Sequence, residues 1–118
     1  MAKIANRVAD VTTSTGTGAV TLAGTPPTGC VSFATGFGST SQAVRYTIDG
    51  GAEWEIGIGT FNGTTGLTRD TIRSSSSSGS LITLSGGTAY VFCTAAAELL
   101  DNANIGAILA QSNGWALP

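Results

Sequence analysis

The sequence contains no histidine, and that one absence removes a large part of enzyme chemistry. Ser-His and Cys-His nucleophile systems need an imidazole base. A zinc site, which wants about four ligands, cannot be built on two cysteines without it. Charge is scarce as well. Only 10% of residues are charged, against about a quarter in ordinary domains. Five Lys+Arg and seven Asp+Glu leave a net charge of −2. No basic stripe is available to neutralise phosphates, so nucleic acid is a poor partner. No apolar run approaches the roughly 18 residues that span a bilayer. The opening "MAKIANRVAD" lacks a signal-peptide core, so synthesis in a cytosol without export is expected.

What is present points to one fold class. Gly (17 residues) and about thirty Ser and Thr dominate the polar composition. β-branched residues and turn-formers favour strands, and helix-formers are few. A chain of 118 residues suits one core. The expectation is an all-β domain, a small antiparallel sandwich or barrel, over residues 1–95, with a short helical or extended arm over 96–118. A surface this poor in charge suits a protein packed against neighbours.

Strands are expected at residues 5–14, 18–23, 30–35, 42–48, 52–60 and 66–73. A further hairpin is expected from 81–85 and 88–95 around Gly86-Gly87. "TPPTG" interrupts the sheet, since proline cannot donate to a ladder. "SSSSSGS" (74–80) reads as a low-complexity, mobile loop. For the central hairpin, a three-residue loop Asp49-Gly50-Gly51 sets Tyr46 against Trp54, Val44 against Ile56 and Ile48 against Ala52. It sets Arg45 against Glu55 and Thr47 against Glu53 on the outer face. Glu53 and Glu55 would then lie about 7 Å apart, a separation within the inverting-glycosidase window. Arg45 would hold Glu55 ionised and unfit as a general acid. In this register Gly57 and Gly59 leave a bare outer face, where another backbone can come close. "GIGTFNG" is no phosphate loop, because no helix and no lysine follow it.

Two readings of Cys30 and Cys93 stand open. They are small buried hydrophobes, or a disulfide tying an early strand to the last one. An intracellular birthplace argues against the bond, and life outside a cell permits it.

"VTTSTGTGAVTLAG", "EWEIGIGTF", "LTRDTIRSSS" and "YVFCTAAAE" together resemble a small β-domain of tailed-bacteriophage virion proteins, often found at the N-terminus of tail-fibre-like proteins. The resemblance spans about residues 5–98. It implies a structural, non-enzymatic role in the virion with no cofactor. Expected partners are other virion proteins, namely the major capsid protein or tail and fibre proteins. The leading expectation is a capsid decoration or cement protein. The alternative is a tail-side adaptor anchoring a fibre, and a glycan-binding or glycan-cleaving appendage is a remote third. With about twenty residues after position 98 in this sequence, no fibre shaft is expected, a departure from the family's usual setting. A homo-oligomer, a trimer, is expected.

Residues 96–118 change in kind, to Ala, Leu and Ile. Ile105, Ile108 and Leu109 have the spacing of one helix face, with Asn102 or Asn104 to cap it. The arm is expected either to fold back on its own domain or to reach a neighbouring subunit, with Trp115 as the anchor. Reaching the neighbour is the favoured reading.

Overall fold

The computed structural model describes residues 2–94. Nearly all regular structure is β, in a nearly closed, barrel-like antiparallel sheet. Nine strands and one short helix are found among these residues: β1 (Ala9–Thr12), β2 (Thr15–Gly16), β3 (Val20–Thr21), α1 (Phe33–Phe37), β4 (Gln42–Asp49), β5 (Trp54–Phe61), β6 (Gly66–Leu67), β7 (Thr71–Ser75), β8 (Leu84–Ser85) and β9 (Ala89–Phe92). The main sheet runs β1-β9-β4-β5-β6-β3, with β7 also pairing β5, and β2 pairs β8 separately. Closure comes from the two ends meeting. The Ala23 N–H donates to the Val11 carbonyl at 2.8 Å, and the Thr12 hydroxyl donates to the Thr21 carbonyl at 2.7 Å.

Inside, alternate residues of each strand build the core: Val44, Tyr46 and Ile48 from β4, Phe61 from β5, Ala89 and Val91 from β9, with Val20, Leu67 and Ile82. Period-two alternation is what a half-buried strand requires. Residues 30–35 do not form the expected strand. Val31 makes one parallel bridge to Val8, and then Ser32 caps a helix by accepting the Thr35 N–H at 3.1 Å. An N-cap serine satisfies a backbone donor that the helix start leaves open. The helix places Phe33 in the core, its ring 5.6 Å from that of Phe61.

The central hairpin differs from expectation in register. Asp49 pairs Trp54, Ile48 pairs Glu55, Tyr46 pairs Gly57 and Arg45 pairs Ile58. Gly50–Glu53 forms a four-residue loop. The Asp49 carboxylate accepts the Gly51 N–H at 2.9 Å, and Gly51 takes φ +95°. The shift from the three-residue register is odd, so every β5 side chain changes face. Trp54, Ile56 and Ile58 point outward, and Glu55, Gly57 and Gly59 point inward. The bare outer face expected at Gly57 and Gly59 therefore does not exist. A close backbone does exist, but it belongs to the same chain. A Cβ on Gly57 would lie 2.6 Å from the Thr71 carbonyl oxygen and 2.9 Å from the Tyr46 hydroxyl. One on Gly59 would collide with the Thr68 carbonyl.

The expected 81–85/88–95 hairpin is also absent. β8 pairs β2, while β9 pairs β1 and β4. The serine run is a built turn. The Ser75 hydroxyl donates to the Ser80 carbonyl at 2.6 Å and accepts the N–H groups of Ser77 and Gly79. The expectations for Ile105, Ile108, Leu109 and Trp115 lie outside the described residues.

Candidate functional site

A buried cluster of Glu55, Arg69 and Tyr46 is the main concentration of charge chemistry in the interior. Each partner is delivered by a different strand device. The inward register of β5 brings in Glu55, which is 0% exposed. Tyr46 stands opposite Gly57, and the missing side chain there leaves room for its phenol. Arg69 sits between β6 and β7, where Thr68 and Asp70 bond back to β5: the Thr68 N–H donates to the Thr60 carbonyl and the Asp70 N–H to the Ile58 carbonyl. On the other side of that link, the hydroxyls of Thr60 and Thr68 each donate to the Asp70 carboxylate at 2.7 Å.

The cluster is complete in itself. Arg69 donates from Nε to Glu55 Oε2 at 2.9 Å and from Nη2 to Glu55 Oε1 at 2.7 Å, the forked geometry that favours arginine over lysine. Its Nη2 also donates to the Ile82 carbonyl at 2.6 Å, and its Nη1 to the Gly16 and Gly18 carbonyls at 3.2 Å. These are the five N–H donors a guanidinium has. Glu55 also accepts the Tyr46 hydroxyl at 2.7 Å and the Ile82 N–H at 3.1 Å, which fills its acceptor sites. Asp10 is similarly engaged, by the N–H groups of Val11, Gly24 and Thr25.

Electrostatics follow from this wiring. Burial alone would raise the Glu55 pKa, but the hydrogen bonds from Arg69, Tyr46 and the Ile82 N–H outweigh it and hold the carboxyl below its usual range. Burial first, then the Glu55 carboxylate, pushes the Tyr46 phenol far above its ordinary value. Burial works against the charge on Arg69, but the Glu55 contact more than restores it. Both groups are buried, and the Tyr46 proton is directed at the Glu55 carboxylate rather than outward. The Arg69 donors and the Glu55 acceptor sites are taken up by partners within the chain. The folded Glu55 titrates below its unfolded value of about 4.3, so its stabilisation is full above that pH. It is lost as pH falls through the folded value. Urea midpoints measured from neutral pH downward should therefore fall most steeply below about pH 4.

Sequence reasoning placed Glu55 outside, with Arg45 as its partner, and did not select Arg69 or Tyr46 as a site. Arg45 lies opposite Ile58 instead, and Glu53 sits exposed in the hairpin loop. The paired-carboxylate geometry is therefore absent. One signal was available. In a chain so poor in charge, Glu55 lies within a strand next to the apolar Trp54 and Ile56, and a lone arginine, Arg69, follows two positions after Leu67.

Cys30 and Cys93 are free, half-buried thiols. The Cys93 N–H donates to the Val8 carbonyl, while Val31 bridges Val8 from the other side. One strand thus separates the two cysteines, about two strand spacings or roughly 10 Å, beyond the ~7 Å that a disulfide tolerates. Burial pushes the Cys93 thiol pKa up. Thiol titration in denaturant without reductant should find both cysteines free, and a Cys30–Cys93 bonded species by mass would contradict this geometry.

Among the described residues no group of three or more His, Cys, Asp or Glu side chains is placed to hold a metal ion, and no helix is long and apolar enough to cross a membrane. Comparisons of the chain with family models, curated proteins and solved structures found no match.

Proposed function

We propose that this chain is a non-enzymatic structural protein of a tailed-bacteriophage virion, a capsid decoration protein that packs among other virion proteins as a homo-oligomer, a trimer. One observation supports the reading above the others. Three of the separated segments that carry the resemblance meet around one ion pair. "VTTSTGTGAVTLAG" supplies the Gly16 and Gly18 carbonyls, "EWEIGIGTF" supplies Glu55 and "LTRDTIRSSS" supplies Arg69. The segments that carry the likeness belong to one folding unit. Within these motifs, Glu55 and Arg69 are locked together in the interior. A charge-poor surface then suits close packing against neighbours.

The test is the copy number of the protein in purified particles, by quantitative mass spectrometry. The decoration role predicts copies on the order of hundreds, as a symmetric shell requires. About a dozen or fewer would move the protein to the tail, as a fibre adaptor. Absence from the particle would overturn both. Light scattering of the isolated protein checks the trimer separately.

A further inference from the structure

Asn62-Gly63, at the end of "GIGTFNG", lies in the turn that joins β5 to β6 and takes no part in the ion-pair cluster. An asparagine followed by glycine carries its own chemistry, because no Cβ on the glycine shields the carboxamide from the next backbone nitrogen. The reaction balances within the chain. The Gly63 nitrogen bonds to Asn62 Cγ, the Cγ–Nδ2 bond breaks, and Nδ2 leaves as ammonia with the proton from Gly63. Water then opens the resulting five-membered succinimide at either C–N bond, leaving aspartate or isoaspartate at position 62. Asn62 is exposed, so water reaches it, and geometry rather than burial decides whether the first step occurs.

We propose that Asn62 is a latent self-modification site, a deamidation site that the folded turn holds closed and that reacts only when the turn opens. Three donors hold its carboxamide oxygen: the Thr64 N–H at 2.9 Å, the Thr64 hydroxyl at 3.0 Å and the Gly66 N–H at 2.9 Å. The Asn62 N–H closes the loop on the Gly66 carbonyl at 2.8 Å. The bond from the Thr64 N–H makes the asparagine side chain one arm of a turn. Gly63 completes that turn at φ +94°, in the positive range that a type II turn requires of its second central residue. Bringing the Gly63 nitrogen onto Cγ means rotating the peptide between Asn62 and Gly63. Gly63 is buried against the next loop, where a Cβ would lie 2.8 Å from the Ser39 carbonyl oxygen. That loop is itself fixed by Gln42, whose Nε2 donates to the Phe37, Gly38 and Thr40 carbonyls. The rotation therefore needs the carboxamide bonds to break together, as a local opening. The outcome bears on the whole barrel. Isoaspartate adds a main-chain atom between Phe61 and Leu67, which pair across this turn, and so disturbs the Thr68 and Asp70 bonds that aim Arg69. This inference does not depend on the virion reading.

The test keeps the full chain at mildly alkaline pH, folded and in urea, and follows aspartate and isoaspartate at position 62 by peptide mapping. Three hydrogen bonds of ordinary strength predict a reaction about a hundred-fold slower in the folded protein. A folded rate equal to the unfolded one, or above it, would mean that the donors assist the charge developing on Oδ1, and would overturn the proposal. A second measurement uses Thr64→Val, which removes the hydroxyl donor and keeps the backbone N–H. Its folded-state rate should rise about five-fold, with the rate in urea unchanged, and Thr64→Ser should restore the parent value. Equal folded-state rates in the parent and Thr64→Val would also overturn it.

Discussion

Replacing Glu55 by Gln is expected to cost about 3–5 kcal/mol of stability, the usual consequence of leaving one partner of a buried ion pair without the other. Arg69 is 9% exposed and has no route to water that keeps its bonds to Gly16, Gly18 and Ile82. Its charge would remain in place with only part of its compensation. Total stability of a domain this size is about 5–15 kcal/mol, so the variant should sit near the edge of folding. Urea denaturation at neutral pH checks the magnitude. Arg69→Met should be as damaging there, with one added signature. Without arginine, burial becomes the main influence on Glu55 and drives its folded pKa above the unfolded value. Stability of Arg69→Met should then be greatest at low pH and be lost as pH rises through that raised value, the reverse of the parent protein. Midpoints that fall with acid in both proteins would refute this account of the cluster.

The second large effect is expected at Gly59. Alanine there would drive its methyl group into the Thr68 carbonyl, with the Thr68 carbonyl carbon at 3.1 Å and Leu67 Cδ1 at 3.2 Å. The obstacle is backbone, so relief requires the β6–β7 link to move away from β5. That movement would loosen the Thr68 and Asp70 bonds that aim Arg69. A loss of about 3 kcal/mol is expected, the upper end for overpacking a filled interior. Gly18 is the control, since a Cβ there meets nothing within 4 Å. Gly18→Ala should change stability by no more than about 0.5 kcal/mol. Thermal melts of the two variants compare them directly. A Gly59→Ala protein as stable as Gly18→Ala would mean that the close approach carries no structural weight.

The β class and most strand positions were legible in composition and punctuation, because turn-formers break the chain at regular intervals. Strand partners were not. β2 pairs β8 and β9 pairs β1 across long stretches of sequence, and nothing local encodes such choices. The hairpin shows the difficulty in one place. Placing Trp54 and Ile56 inside obeys the hydrophobic rule, yet these residues face outward. The true register instead buries Glu55, which is tolerable only because Arg69, fourteen residues on, completes it. Gly57 was read as outer-face clearance for another backbone. It is clearance, but for Tyr46 and Thr71 of the same chain. Ser32 as a helix cap could have been read from sequence, but the apolar Cys30, Val31 and Phe33 around it read as a short strand.

The central claim is that Glu55 and Arg69 act as one unit joining the two strand motifs, and a double-mutant cycle tests it most directly. Stability would be measured for the parent, Glu55→Leu, Arg69→Met and the double variant, all at neutral pH in urea. The account predicts that each single change costs several kcal/mol, and that the double variant recovers much of the loss, giving a coupling energy of about 2–3 kcal/mol. Single losses that simply add, with coupling near zero, would contradict it.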